Sequence, residues 1–288
     1  MHILIAGDKN RYSNRLIATS LEKRGCEVDF FNSEDISVTS EGNIGFKKIS
    51  DLIYVRTGFF RDIKNFSKFL LHTWILELLE NMGIKVINSL ESFENTANKI
   101  KCLTLLEKNG INVPFSSVAI SYEKAEEISE EMGFPLVLKP LFGERGEDIY
   151  LANSYLELQE YFDKINSKGI PVLLQEYLPK NYNRDIRVFV VGKEAVAAMY
   201  RYGKNDWRTN LSLGGIGKLC PLSDDIVDLS IKASEITKSD IVGVDILEHG
   251  EDLYVIEVNP LPGLLIQKVT GINVADKIAE YLIKKAKS

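Results

Sequence analysis

Residues 242–263 constrain the fold more than any other stretch of this 288-residue chain. Two apolar runs, Val-Gly-Val-Asp-Ile-Leu and Leu-Tyr-Val-Ile-Glu-Val-Asn, flank a polar turn, Glu-His-Gly-Glu-Asp. Apolar runs of strand length on either side of a glycine-bearing turn predict a β-hairpin. With the turn centred near Glu251, Asp245 lies opposite Glu257. Strand alternation then puts Glu257 and Asn259 on one face and Tyr254, Ile256 and Val258 on the other. Three side-chain oxygen donors converge: Asp245, Glu257 and Asn259. Carboxylates on an apolar hairpin are costly without a partner. A hard cation such as Mg²⁺ is one partner, and it suits carboxylate and phosphate oxygens together. A solvated edge hairpin is the other reading. Pro260 and Pro262 end the strand and fix the loop behind it.

The chain is too long for one ordinary core and fits two or three domains. A net charge of −6 argues against bulk nucleic-acid binding. Cys26, Cys102 and Cys220 are far apart, and with only three histidines they argue against zinc. Unpaired cysteines suit a reducing, cytoplasmic setting. The apolar run from Ile3 to Ala6 is too short for a signal peptide, and no run reaches membrane-spanning length.

Ile3 to Ala6 reads as a buried strand ending at Gly7. A helix over 13–23 and a strand over 28–31 follow, a rhythm that implies a parallel sheet. Gly7 stands alone, so a dinucleotide fingerprint is rejected. Residues 37–49 read as a loop or small hairpin. A strand over 52–55 delivers Arg56 to its carboxyl end, where open α/β sheets hold ligands; a surface arginine is the plainer alternative. The helix over 66–79 is apolar around most of its circumference, so it is deeply buried or forms part of an oligomer interface. The pattern predicts one helix over 92–108 containing Lys99. Ser121 is the expected N-cap of a helix over 123–132 that stops at Gly133.

A strand ending Val-Leu-Lys139-Pro140 precedes a loop with Gly143 and Gly146. Glycines let backbone N–H groups approach phosphate oxygens, and the lysine adds a point charge. The Gly-x-x-x-x-Gly-Lys-Ser/Thr loop is absent. Further on, a strand over 172–177 ends in Gln-Glu-Tyr, and another carries Asp185 and Arg187 at alternate positions. Its partner strand brings out Arg201. Residues 207–215 read as a polar, mobile loop, and a terminal helix covers 274–285. No internal repeat is present.

Together these pieces resemble the ATP-grasp superfamily, and within it the RimK-like amino-acid ligases. The resemblance covers residues 95–285. It is carried by Asn98-Lys99, Pro-Leu-Val-Leu-Lys139, Gln-Glu176-Tyr177, Arg-Asp185-Ile-Arg187, Trp-Arg208-Thr-Asn210, Val-Gly-Val-Asp245-Ile and Ile-Glu257-Val-Asn259. The ordered set is specific where each member alone is not. It implies an α/β (α+β) chain with the ATP-grasp fold behind an N-terminal Rossmann-like domain. The expected division is 1–90, a central subdomain over 91–172, and a C-terminal subdomain over 173–288 with the metal site.

The resemblance also implies roles. Lys99 and Lys139 would hold ATP phosphates, Glu176 and Tyr177 would meet adenine, and Asp185 would reach the ribose side. Asp245, Glu257 and Asn259 would carry Mg²⁺ or Mn²⁺, two ions in all. Arg208 and Asn210 would contact the phosphates and the reacting carboxylate. Arg201, Arg208 and Lys139 would be the catalytic cations, with Arg201 steadying the acyl phosphate. Asp148 stands where the phosphate loop usually has a third glycine, and is expected to point away or to be offset by Arg145. The implied reaction is ATP-dependent amide formation, adding glutamate or another amino acid to an acceptor. The acceptor classes are a small cofactor such as a pterin or deazaflavin, or a protein or carrier tail. A phosphotransferase and a D-alanine–D-alanine-type ligase stay open, the latter because of Pro260-Leu261-Pro262-Gly263. Arg56, Arg61 and Arg184 suit an anionic small-molecule partner. Nucleic acid and membrane are not expected partners; a dimer or tetramer built through the 66–79 helix is.

Overall fold

The computed structural model describes residues 1–32, 37–41, 44–45, 50–56, 66–143, 148–204 and 207–288, with backbone alone at 66–69 and 212. Arg61, Arg145 and Gly146 therefore lie outside the described residues.

The N-terminal part alternates strand and helix. β1 (His2–Ala6), α1 (Tyr12–Glu22), β2 (Glu27–Phe31), β3 (Leu52–Val55), α2 (Phe66–Asn81) and β4 (Val86–Ile87) follow in order. The sheet is parallel throughout, in the order β2-β1-β3-β4, as the rhythm predicts. Every residue of β1 and β3 is buried, which is why both read as unbroken apolar runs. Residues 37–45 contain a short antiparallel bridge, Val38 to Ile44. α2 buries Ile75, Leu76 and Leu79 but leaves Leu70, Leu71 and Trp74 about half exposed.

The expected helix over 92–108 is two helices, α3 (Leu90–Ala97) and α4 (Lys99–Lys108). Asn98 is the reason. Its backbone is extended, and its side-chain oxygen accepts from the Lys101 amide, which caps α4. Lys99 is thus the first residue of a helix, not a mid-helix lysine. Next come β5 (Ser116–Ala119), α5 (Tyr122–Met132), β6 (Leu136–Pro140), β7 (Tyr150–Ala152), α6 (Tyr155–Asn166) and β8 (Val172–Glu176). Ser121 caps α5 as expected. These strands form an antiparallel sheet in the order β5-β8-β6-β7.

The last part is a second antiparallel sheet in the order β11-β10-β9-β12-β13. It comprises β9 (Arg184–Val191), β10 (Glu194–Tyr202), β11 (Ile216–Leu219), β12 (Ile241–His249) and β13 (Asp252–Asn259). α7 (Asp224–Ile236), α8 (Leu265–Thr270) and α9 (Val274–Lys287) complete the chain. β11 and α8 have no clear sequence pattern and were not expected.

The cores show which elements are packed together. Ile3, Ile5 and Tyr54 pack in one cluster with Phe189, Val191, Ile241 and the α9 residues Ile278 and Leu282. The first and third sheets thus share a core. α4 joins the third sheet too, through Cys102 and Leu106. Asn88 bolts the first and third sheets together. Its Nδ2 donates to the carbonyls of Ile241 (2.8 Å) and Pro260 (2.9 Å), and its Oδ1 accepts from the amides of Asp240 (2.9 Å) and Ile241 (2.8 Å). The central sheet has its own cluster, built from Leu136, Leu158, Phe162, Val172 and Leu174.

Candidate active site

β12 and β13 form the expected hairpin, with Asp245 opposite Glu257 and Gly243 opposite Asn259. Strict alternation fails at one point. The register shifts between Asp245 and Ile246, leaving Ile256 as the extra residue of a bulge. Val255 and Val258 therefore enter the core, while Ile256 turns outward and lines the same cleft as Glu257. The expectation that Ile256 shares a face with Val258 is corrected by this bulge.

The register continues across the sheet. Asp245 lies opposite Arg187 of β9, and Asp185 of β9 lies opposite Arg201 of β10. Cross-strand neighbours are close enough to pair directly. Both Asp245 oxygens are held by Arg187, through Nε and through Nη2 at 2.6 Å, and Arg201 Nη2 adds a third contact at 2.9 Å. Arg201 grips Asp185 in a two-pronged pair at 2.7 and 2.8 Å, and Thr209 also donates to that carboxylate. Burial pushes the Asp245 carboxyl up, but Arg187 and Arg201 outweigh it and hold it below the usual carboxylate range. Gly243 makes room for the fork: a Cβ there would stand 2.8 Å from Arg187 Nη1 and 3.2 Å from the Pro262 ring.

Asp185, assigned to the ribose side by resemblance, is thus committed to Arg201 and Thr209. Asp245, assigned to a metal, is committed to two arginines. The oxygen donors at Glu257 and Asn259 fit a hard divalent cation. Asn259 Oδ1 also accepts from the Leu261 amide at 2.9 Å, which fixes its rotamer. For Asp245 to join them, an ion would have to replace a guanidinium.

The cleft between the central and third sheets holds Lys139, Glu176, Tyr177, Asp185, Arg201, Arg208, Asn210, Asp245 and Glu257, nine of the sequence-predicted site residues. Lys139 donates to Gln175 Oε1 at 2.6 Å. Burial, helped by the charge of Lys180 and opposed by Glu257, pushes its amine down to about 8. Glu176 Oε1 accepts from the Phe115 amide at 2.7 Å. Tyr177 stands edge-on to Trp207. Pro114, Val137, Ile149, Leu247 and Ile256 supply apolar walls of the kind a flat heteroaromatic ring needs. Lys99 does not reach the cleft floor. Its amine donates to the carbonyls of Pro140 (3.1 Å) and Gly143 (3.2 Å), at the start of the glycine loop.

Lys180 was missed by sequence reasoning, since a lysine after a strand carries no signal of its own. It lines the cleft and donates to the Trp207 carbonyl (3.1 Å) and Thr209 Oγ1 (3.2 Å). These bonds, with the Thr209–Asp185 contact and a short 3₁₀ turn at Leu211–Leu213, pin what reads as a free polar loop. Asp148 points away, as expected: Lys168 and the Tyr150 hydroxyl hold its carboxylate. Its φ of 56° is the left-handed conformation that glycine would otherwise supply.

A second cavity of about 420 Å³ opens on the other side of the arginine fork, between α1, the end of β3 and the loop after β13. Arg201, Asn210 and Glu257 line both spaces. Arg56 sits in its wall, only 6% exposed. A larger hollow lies elsewhere, around the β9–β10 turn, α7 and α9. Lys193, Lys277 and Lys285 there pair with Glu235, Glu194 and Asp240, and the hollow contains none of the candidate residues.

Two sheets clasping a cleft lined by lysine, arginine and an acidic hairpin define the ATP-grasp class. Residues 96–282 match the RimK-like ATP-grasp domain, and the chain belongs to that family. It is an ATP-dependent acid–amino-acid ligase by class. The coenzyme γ-F420-2:α-L-glutamate ligase of Methanocaldococcus jannaschii is 33% identical over 281 residues, 94% of either chain. The α-aminoadipate–LysW ligase LysX of Sulfurisphaera tokodaii is 35% identical over 216 residues, 72% of this chain and 73% of that one. Among solved structures, the ATP-grasp ligase PsnB with minimal precursor, Mg and ADP has the same fold at a TM-score of 0.74, with 19% identity over 99% of this chain and 98% of that one. No helix among the described residues is long and apolar enough to cross a membrane.

Proposed function

We propose that this enzyme joins glutamate or a similar amino acid to a small carboxylate acceptor through an acyl phosphate. The observation that carries this reading is the shared wall: Arg201, Asn210 and Glu257 line both the nucleotide cleft and the second cavity. A group that touches both spaces can align a phosphoryl donor with its acceptor. Names of relatives supply the amino acid: the chain resembles α-L-glutamate ligases over nearly its whole length.

The acceptor carboxylate enters from the second cavity and attacks the γ-phosphate, releasing ADP. The amine of the incoming amino acid then attacks the acyl carbon and expels phosphate. The first step needs alignment and charge neutralisation more than covalent help. Lys139 and Arg208 face the phosphates from the cleft, with Lys180 behind them. Arg201 sits where negative charge develops, preorganised by Asp185 and Asp245. Glu257 and Asn259 would hold Mg²⁺, with Asp245 exchanging an arginine to join them; the ion supplies neutralisation of the phosphate oxygens.

Glu257→Gln tests this reading. It removes a charge without changing shape, so the variant is expected to stay folded and to lose acceptor-dependent ADP release, by on the order of 10²–10³ or more. Normal turnover would refute the assignment. Mass analysis of the product separates amide gain from phosphate gain, the signature of a phosphotransferase.

A further inference from the structure

Arg56 is a buried cation with no counter-ion. Its Nη2 donates to the Pro262 carbonyl at 2.9 Å and its Nε to Asn14 Oδ1 at 3.3 Å, but its Nη1 has no partner. Among the described residues, no carboxylate pairs with it. The other arginines of the cavity, half-buried Arg187 and buried Arg201, are matched by Asp245 and Asp185. A buried, unmatched guanidinium is costly unless a ligand completes it. Space is kept for it: a Cβ on Gly7 would stand 3.3 Å from Arg56 Cβ and 3.0 Å from Asn14 Nδ2.

The amino end of α1 lines the same cavity through Arg11, Tyr12, Ser13 and Asn14. Arg11 occupies the N-cap position, and no side chain caps the helix. Uncapped N–H groups and the helix dipole favour an anion at that place. The Ser13 hydroxyl accepts from the Leu264 amide, which holds the loop after β13 against the helix. Arg201 and Glu257 line both this cavity and the nucleotide cleft, whereas Arg56 and Arg11 line this cavity and not the cleft.

We infer that Arg56, Arg11 and the amino end of α1 form an anion subsite that reads a second negative group on the acceptor, carboxylate or phosphate, remote from the reacting carboxylate. The inference rests on the proposed acceptor role of this cavity. It makes the enzyme selective for acceptors bearing two anionic groups.

Calorimetry on the full chain saturated with Mg²⁺ and ADP tests it, using glutarate, 4-phosphonobutyrate and the singly charged glutaramate. Either dianion should bind at least ~10-fold tighter than glutaramate, as expected for a lost charge-assisted pair. The tighter of the two identifies the group as carboxylate or phosphate. Arg56→Gln should erase that preference, and Arg11→Gln should reduce it, while ADP affinity stays at the wild-type value. Arg56→Lys, which keeps the charge, should restore part of it; this separates recognition from a fold defect. No preference in the wild-type enzyme, or a preference that survives Arg56→Gln, overturns the subsite. If the preference depends on Arg56 but no amide is ever formed, the subsite stands and the ligase reading of the cavity fails.

Discussion

Lys139 is where a single group's titration should be visible in catalysis. Its amine is pushed down to about 8, chiefly by burial. In its proposed role of holding phosphate, Lys139 works only while protonated. The value of kcat/KM for ATP reports the free enzyme, so it should be level below about pH 8 and fall above it as Lys139 loses its proton. In Lys139→Arg the cation keeps its proton, and the fall should move out of the measurable range. A descending limb that persists in that variant belongs to another group. Arg201 calls for a different expectation. A sequence reading makes Arg201→Ala a clean test of the chemical step. The structure makes it a test of folding as well, because two buried carboxylates lose their shared partner. Breaking a buried pair costs roughly 3–5 kcal/mol. Denaturant unfolding of Arg201→Ala should show a loss of that order; stability within ~1 kcal/mol of wild type would mean that Asp185 and Asp245 are compensated by other groups.

The hairpin of β12 and β13 converts strand register into site geometry. Gly243 is its least replaceable position. In Gly243→Ala the new methyl would press on Arg187 and Pro262. The arginine must then leave Asp245 or the strand must shift. Overpacking of this kind costs ~1–3 kcal/mol. A misplacement near the chemistry lowers rates by ~10². A thermal melt with steady-state ADP release on the same preparation checks both numbers; full activity would show that Arg187 can relocate freely. The same element shows what the sequence could reveal. Asp245 opposite Glu257 was legible, because turn position and strand period fix register. The bulge at Ile256 was not, since an inserted residue leaves no trace in an apolar run. The break at Asn98 was hidden for a related reason: capping depends on a backbone turn that the apolar pattern of residues 92–108 runs straight across. The arginine fork was half legible. Asp185 and Arg187 stood out as charges in a strand, but their partners sit on other strands, and single-sequence patterning says nothing about those pairings. Lys180 became informative only through its surroundings, whereas Arg56 was legible from its place at the end of a strand and only its burial came from the structure.

At the scale of the whole molecule the first and third sheets share one core, and the central sheet keeps its own. The proposed nucleotide cleft lies on the seam between these two bodies and has room for only about 90 Å³. Pockets for ligands of nucleotide size run to roughly 300–1,000 Å³. If the cleft takes ATP as proposed, the central sheet is expected to swing away from the third, with Lys139 from one and Arg208 from the other closing on the phosphates. Binding to the folded state alone stabilises it by about 2.7 kcal/mol at a hundredfold excess over Kd. The gain should not be spread evenly. With Mg²⁺ and a non-hydrolysable ATP analogue, hydrogen exchange should slow most in β6, β8 and the 207–215 segment, and least in β1 and β3, which do not touch the cleft. Uniform protection across all three sheets would overturn the two-body movement.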